Sequence, residues 1–181
     1  MSATSSLAQA CGLGAVTNTV SLERVLRHLQ IPSGVSVPNE VIAVAGHGTH
    51  HLELRADGKV WASGDNSYGQ LGDGSKTKRL TPVQVVGLTE VKQIAVGAAH
   101  SLALKADGTV WVWGQNFYGQ VGDGTAFDRS MPTVLKNSDG VVETGFTKIS
   151  AGLVHSLALK SDGSVRTTVK TGRSAFQVLT V

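Results

Sequence analysis

The stretch HSLALKADGTVWVWGQNFYGQVGDG, residues 100–124, decides how this chain folds. A near copy of it stands fifty residues earlier, at 50–74, and a partial copy follows at 155–165. In the ungapped alignment of 41–82 with 91–132, 20 of 42 residues are identical. A repeat of this length is typical of propellers, solenoids and arrays rather than of a single catalytic domain.

The residue pattern within the repeat predicts short β-strands. Leu102 and Leu104 alternate with small or polar residues, which is the period of a strand with two different faces. Asp107-Gly108 predicts a hairpin turn, because both residues tolerate the positive φ that such turns need. A glycine-punctuated loop then leads to a last strand, whose Pro132 must lie at the strand start or on a sheet edge. Four short strands per repeat are typical of a propeller blade.

The motifs His-Ser-Leu-Ala-Leu-Lys-x-Asp-Gly-x-Val and Trp-x-Trp-Gly-x-Asn-x-x-Gly-Gln-x-Gly-Asp-Gly resemble the repeat of the regulator of chromosome condensation (RCC1-like) family. The resemblance covers 41–165, about two thirds of the chain. It implies a seven-bladed propeller whose members serve as exchange factors for a nuclear GTPase, chromatin or partner binders, enzyme inhibitors or regulatory domains. None of the matched motifs is one of the loops that carry those activities, so no activity transfers residue by residue.

We therefore predict an all-β fold, a partial RCC1-like β-propeller with two full four-stranded blade repeats and an incomplete third. The predicted segments are a non-repeat N-terminal segment with a short helix (1–38), two repeats (39–140), the incomplete third repeat (141–165) and a non-repeat basic tail (166–181). The helix prediction rests on leucine and valine residues at helical spacing between Leu22 and Leu29.

The third copy loses the repeat residues after Val165. Aligning it with the second copy puts Arg166 and Thr168 where Trp111 and Trp113 stand, and the glycine-rich loop is missing. This departure leaves open that the chain is a truncated or frame-shifted gene fragment. Because a blade buries its broad faces against its neighbours, open end faces also suggest self-association to complete the propeller.

Charge and composition exclude several function classes. Arg166, Lys170 and Arg173 account for the whole net charge of +3, so the repeat region is neutral and a nucleic-acid partner is disfavoured. Cys11 is the one cysteine, so an intrachain disulfide is excluded. No apolar run is long enough to span a membrane, and no convincing signal peptide is present. We expect a soluble chain without a membrane partner, with the cytoplasm favoured.

Candidate catalytic and metal-binding residues have structural explanations. His50, His100 and His155 recur at one repeat position, which favours a buried structural hydrogen bond over metal binding. His47 and His51 extend this to a cluster, but His50 and His51 point to opposite faces of a strand. No phosphate-binding loop or nucleophile elbow occurs. We therefore predict no catalytic residue, no cofactor and no metal, and a protein that is not an enzyme.

The loops after the repeated Gly-Asp-Gly are the candidate partner contacts. Most of their residues differ between the two copies, whereas the preceding Gly-Asp-Gly is the same. Such variation is expected of a recognition loop and equally of an unconstrained surface loop. The candidate residues are Lys76, Lys78, Arg79, Phe127, Asp128 and Arg129. The three tryptophans, Trp61, Trp111 and Trp113, are instead predicted to form core between blades.

Our leading functional hypothesis is a non-catalytic RCC1-like interaction module that contacts an unidentified protein through its blade-connecting loops. A first alternative, implied only by the family resemblance, is nucleotide exchange on a small GTPase. A second alternative is a gene fragment without independent function.

Overall fold

A computed structural model describes the backbone of residues 40–171 and 174–179 and the side chains of residues 40–168. Within these ranges the chain forms strands and no helix. The strands make three antiparallel sheets of four strands each, and in every sheet the strands lie in sequence order. The predicted N-terminal segment 1–38 with its short helix lies outside the described residues.

We call the three sheets blades 1, 2 and 3. Blade 1 consists of β1 (Val41–His47), β2 (His50–Arg55), β3 (Val60–Gly64) and β4 (Arg79–Gln84). Blade 2 consists of β5 (Val91–Val96), β6 (His100–Lys105), β7 (Val110–Gly114) and β8 (Arg129–Val134). Blade 3 consists of β9 (Phe146–Ala151), β10 (Ser156–Lys160), β11 (Val165–Thr171) and β12 (Ser174–Leu179).

The prediction of an all-β partial propeller is confirmed, and the strands of blades 1 and 2 follow the predicted pattern. Pro82 and Pro132 lie in β4 and β8, which are edge strands, where a missing N–H donor leaves no gap in the sheet. In blade 3 the repeat residues end at Val165, yet β11 and β12 form from the residues that follow. Strand pairing therefore continues where the repeat motif does not.

Two apolar cores hold the blades together, one at each boundary. Between blades 1 and 2, Leu52 and Leu54 of β2 pack with Ile94 of β5 and Trp113 of β7. Between blades 2 and 3, Leu102 and Leu104 pack with a cluster that includes Phe146, Ile149 and Ala158. Fully burying one such side chain contributes about 1.5–3 kcal/mol, so these boundaries supply much of the driving force for folding.

Blade 2 has a neighbour on each side, and the burial of β6 shows it. All residues from His100 to Leu104 are buried, whereas in β2 of blade 1 the alternate residue His51 is exposed. In blade 2, successive side chains of β6 therefore point alternately into two buried interfaces, one with each neighbouring blade. In blade 1 the same alternation separates an interface from a face against which no other described blade lies.

The tryptophan prediction is confirmed for Trp113 and needs correction for Trp61. Trp113 is 0% exposed in the first core, and Trp111 is half-buried against the same core. Trp61 belongs to neither core in the described residues; the Arg55 guanidinium lies 4.1 Å from its ring centroid instead. The reason is position, because Trp61 faces the side of blade 1 on which no other described blade lies.

A backbone carbonyl joins each pair of neighbouring blades. The Gln70 carbonyl of blade 1 accepts hydrogen bonds from Ser101 Oγ at 2.8 Å and Trp113 Nε1 at 2.9 Å. The Gln120 carbonyl of blade 2 accepts the corresponding pair from blade 3, from Ser156 Oγ at 2.8 Å and Thr168 Oγ1 at 2.7 Å. Thr168 thus replaces the indole N–H with a hydroxyl at the same aligned position.

Glycine is required beside each of these carbonyls. Gly72 has φ of +69°, and a Cβ built there would lie 2.7 Å from Trp113 Nε1. Gly122 has φ of +76°, and a Cβ there would lie 2.5 Å from the Thr168 methyl carbon. Any side chain would both strain the backbone and displace the donor from the neighbouring blade.

Of the three recurring histidines, His50 and His100 are buried as predicted, whereas His155 of blade 3 is only half-buried. His50 Nε2 lies 2.9 Å from Ser101 Oγ, whose hydrogen is already given to Gln70, so the imidazole must be the donor. Burial lowers the pKa of both His50 and His100 to about 4. Both rings are therefore neutral at pH 7, as structural groups at a desolvated boundary are expected to be.

We expect Trp113→Phe to cost about 1–2 kcal/mol of unfolding free energy, because it keeps most of the ring and removes the N–H donor to Gln70. Trp113→Ala should cost about 3–5 kcal/mol, since it also leaves a cavity. Urea unfolding followed by circular dichroism measures both. The matched control is Trp61→Phe, which should change stability by less than about 1 kcal/mol; equal losses at the two positions would contradict the boundary role of Trp113.

We expect the free energy of unfolding to fall as the pH drops from about 6.5 to about 4. In that window the unfolded chain binds protons at His50 and His100, whereas the folded chain keeps both rings neutral. Urea unfolding at several pH values measures the slope. His100→Gln should flatten it, and the control His51→Gln, at an exposed position, should not. An unchanged slope in the His100 variant would refute this assignment.

A candidate partner-contact surface on the blade loops

The β3–β4 loop (65–78) and the β7–β8 loop (115–128) are each organised by a buried asparagine. Asn116 is 0% exposed; its Nδ2 donates to Asp123 Oδ1 at 3.1 Å and to the Thr125 carbonyl at 3.0 Å. Its Oδ1 accepts the Val121 N–H at 2.9 Å. Asn66 makes the corresponding bonds in the first loop. One side chain thereby ties the start, middle and end of each loop together.

A buried glutamine fixes the exposed tyrosine of each loop. Gln70 Oε1 accepts the Tyr68 N–H at 2.9 Å, and Gln120 Oε1 accepts the Tyr118 N–H at the same distance. Both glutamines are 0% exposed, and their carbonyls bind the neighbouring blade. The backbone that presents the aromatic side chains is therefore held by the same residues that hold the blades together.

Two of the predicted contact residues have a structural role. Arg79 Nε donates to Asp73 Oδ2 at 3.0 Å, and Arg129 Nε donates to Asp123 Oδ2 at 2.6 Å. Each arginine is the first residue of its strand, β4 or β8, so the pair closes the loop where the strand begins. Arg79 and Arg129 therefore shape the loops, whatever else they contact.

The loop aspartates are ionised at neutral pH. Burial acts to raise the pKa of Asp73 and Asp123, but the opposing hydrogen bonds are stronger in sum. Asp123 accepts from the hydroxyl and N–H of Thr125 and from Arg129, and its pKa is lowered. Asp73 accepts in the same way from Ser75 and Arg79, and its pKa is lowered too. Each loop thus keeps a buried negative charge beneath an arginine.

Of the other predicted contact residues, Lys76, Phe127 and Asp128 lie where the two loops meet, and Lys78 is an exposed residue of the β3–β4 loop. Phe127 is 75% exposed, and Lys76 and Lys78 are exposed as well. Asp128 is half-buried: its Oδ1 accepts the Asn116 N–H at 3.0 Å, and its Oδ2 lies 3.5 Å from Lys76 Nζ. The Lys76–Asp128 pair connects the loop of blade 1 to the loop of blade 2.

A groove of about 530 Å³ runs between the two loops. Its lining residues are Tyr68, Lys76, Gln115, Phe117, Ala126, Phe127 and Asp128. We call these residues the loop groove. Phe117 is 66% exposed and stacks edge-on against Tyr118 with ring centroids 5.0 Å apart. Exposed aromatic side chains on a rigid backbone are a common feature of binding surfaces.

Sequence reasoning selected the loop cations and Phe127 but missed Tyr68, Phe117 and Tyr118. The two tyrosines occupy one alignment position and are identical in both copies, so they carry no signal that separates them from the structural residues of the repeat. A usable signal was present at Phe117, which replaces Ser67 and so adds an aromatic residue at a variable position. Only the structure shows that both kinds of position face the same groove.

The part of the chain that the structure describes holds no group of three or more His, Cys, Asp or Glu side chains arranged to bind a metal ion. Within the same residues there is no helix of the length and hydropathy needed to cross a membrane.

Comparison with known families identifies the repeat. The profile of the regulator of chromosome condensation (RCC1) repeat matches residues 57–104 and 107–159, more than half of the chain. A second RCC1 repeat profile matches residues 91–120. The chain belongs to the RCC1 repeat family. The predicted resemblance is thereby confirmed.

Solved structures of RCC1 proteins are similar to this RCC1-repeat chain. Prp20p of Saccharomyces cerevisiae is 31% identical with a TM-score of 0.62, over 76% of this chain and 32% of that one. Yeast RCC1 (Prp20) bound to Kap60 is 32% identical with a TM-score of 0.60, over 74% and 30%. Human WBSCR16 shares the fold, with a TM-score of 0.67 at 23% identity over 79% and 38%. The chain spans about a third of the length of these proteins.

We expect Asn116→Ala to lower the free energy of unfolding by about 1–3 kcal/mol, because it leaves the buried Val121 N–H without its acceptor. Amide hydrogen exchange within 117–128 should also accelerate. Denaturant unfolding and exchange mass spectrometry measure the two effects. The control is Asn137→Ala, whose side chain caps an exposed turn. A loss at Asn116 no larger than at Asn137 would contradict the organising role.

Proposed function

We propose that this RCC1-repeat chain is a non-catalytic interaction module that binds a protein partner through the loop groove. The observation that carries the proposal is the exposure of Phe117 and Phe127 on loops that the blade boundaries hold in place. Exposed aromatic side chains cost solvation free energy that binding recovers, and a rigid backbone limits the entropy lost on association.

The predicted contact residues divide by role in this proposal. Phe127, Lys76 and Lys78 contact the partner directly, since they are the exposed members. Asp128 orients Lys76 and supports the loop through Asn116. Arg79 and Arg129 contact the partner with the exposed side of their guanidinium groups, while their Nε atoms stay hydrogen-bonded to Asp73 and Asp123.

We expect the double variant Phe117→Ser/Phe127→Ser to lose its partner. Truncating a central aromatic contact commonly costs about 2 kcal/mol or more, so recovery should fall more than about tenfold. Pull-down with the immobilised chain and quantitative mass spectrometry measures this recovery. Purified Gsp1p, Kap60 and histones serve as defined probes, because yeast Prp20 is described with them.

The control variant for this experiment is Val141→Ser, an exposed apolar residue between β8 and β9, at the sheet end opposite the loops. It should retain the partner, and all three proteins should show the same melting temperature. Equal recovery with the double variant and with the wild-type chain would sink the proposal.

Nucleotide exchange on a small GTPase is the second candidate function. It is supported by the similarity to Prp20p, a protein that is described with its binding to Gsp1p. Release of a fluorescent guanine nucleotide from Gsp1p, with and without the purified chain, tests it. An unchanged release rate at saturating chain concentration would remove this candidate and leave the interaction module untouched.

A further inference from the structure

The acidic and basic side chains around the loop groove differ in their exposure to solvent. Two of the acids point inwards: the side chains of Asp73 and Asp123 are each 8% exposed, against 25% for Asp128. The cations point outwards, with the Lys76 side chain 55% exposed and the Arg79 side chain 40% exposed. Together with Arg79 and Arg129 the two loops are neutral in sum, because four cations balance four aspartates. Lys76 and Lys78 are exposed residues, whereas none of the four aspartates is, so the most accessible charge is positive.

Lys78 is the loop cation with the fewest hydrogen bonds and ion pairs to the rest of the chain. It is exposed, and within the described residues it makes no hydrogen bond or ion pair. Lys76 has one partner, Asp128, at 3.5 Å, a long contact for an ion pair at an exposed site. Both ammonium groups can therefore bind a carboxylate of a partner without breaking a short hydrogen bond within the chain.

The other two loop aspartates, Asp65 and Asp128, already accept hydrogen bonds. Asp65 accepts from Ser67 and Gln70, and Asp128 accepts the Asn116 N–H. The groove between them is walled by the rings of Tyr68, Phe117 and Phe127. The surface thus combines an aromatic slot that Lys76 helps to line with a second exposed cation, Lys78, two residues further along the same loop.

We propose that the loop groove binds an extended acidic segment that carries an aromatic anchor. The anchor packs between Phe117, Phe127 and Tyr68, and carboxylates that flank it pair with Lys76 and Lys78. This proposal rests on the proposed interaction function and names the chemistry of its partner. Charge complementarity selects the acidic segment, because the exposed cations would repel a basic one.

The test uses fluorescently labelled short peptides and the purified full chain. The probe is a tryptophan flanked by aspartate and glutamate residues, and its binding is measured by fluorescence anisotropy. Two matched peptides replace the acids by lysines or the tryptophan by alanine, and a third probe is a short DNA duplex. We expect the acidic aromatic peptide to bind at least about tenfold more tightly than either matched peptide.

Charge reversal locates the contact. Lys78→Glu should weaken binding of the acidic aromatic peptide by about threefold to tenfold, and raising NaCl from about 50 mM to about 300 mM should weaken it comparably. The control is Lys92→Glu, an exposed lysine in β5 at the hairpin end of the sheet, which should leave binding unchanged. Phe127→Ser should abolish the advantage of the tryptophan peptide over the alanine peptide.

Several outcomes would overturn this proposal. Tighter binding of the lysine peptide or of the DNA duplex would do so, as would equal effects of Lys78→Glu and Lys92→Glu, or no binding of the acidic peptide. If the acidic peptide fails while Phe117 and Phe127 still govern partner recovery, only the acidic chemistry is wrong. If both fail, the interaction function itself is wrong.

Discussion

The backbone carbonyl of the Gly-Gln turn is the group on which the rest of this structure depends. At each blade boundary it accepts two hydrogen bonds from the next blade, Gln70 from Ser101 and Trp113, and Gln120 from Ser156 and Thr168. A buried carbonyl without partners is costly, so the boundary forms as a unit. The apolar cores supply most of the free energy, but these bonds determine how one blade is placed against the next.

The same turn also holds the exposed loop in place. The glutamine that gives its carbonyl to the next blade also uses its side chain to hold the tyrosine N–H of its own loop. A rigid scaffold that carries variable side chains is a common way to build a binding surface, because the loop loses little entropy when a partner arrives. In this chain the variable side chains Phe117, Phe127 and Lys76 meet at the groove between two blades, and Lys78 is exposed on the same loop as Lys76.

Sequence reasoning performed well wherever a residue's environment repeats. The alternation around Leu102, the Asp107-Gly108 hairpin and the edge position of Pro132 all follow from local rules, and the structure agrees with each. It performed poorly where the environment differs between copies. Trp61 and Trp111 occupy one repeat position, yet only Trp111 packs against a core, because only blade 2 has a described blade on that side.

The sequence by itself determined the repeat, the all-β class and the family, because strand alternation and turn residues act over a few positions and recur in register. The tertiary structure alone showed that the Thr168 hydroxyl replaces the indole N–H of Trp113, since each donates to the equivalent glutamine carbonyl of the preceding blade. It alone also brought Tyr68 and Phe127, far apart along the chain, to one groove. Contacts between blades depend on how the blades are placed side by side, and that placement leaves no local pattern in the chain.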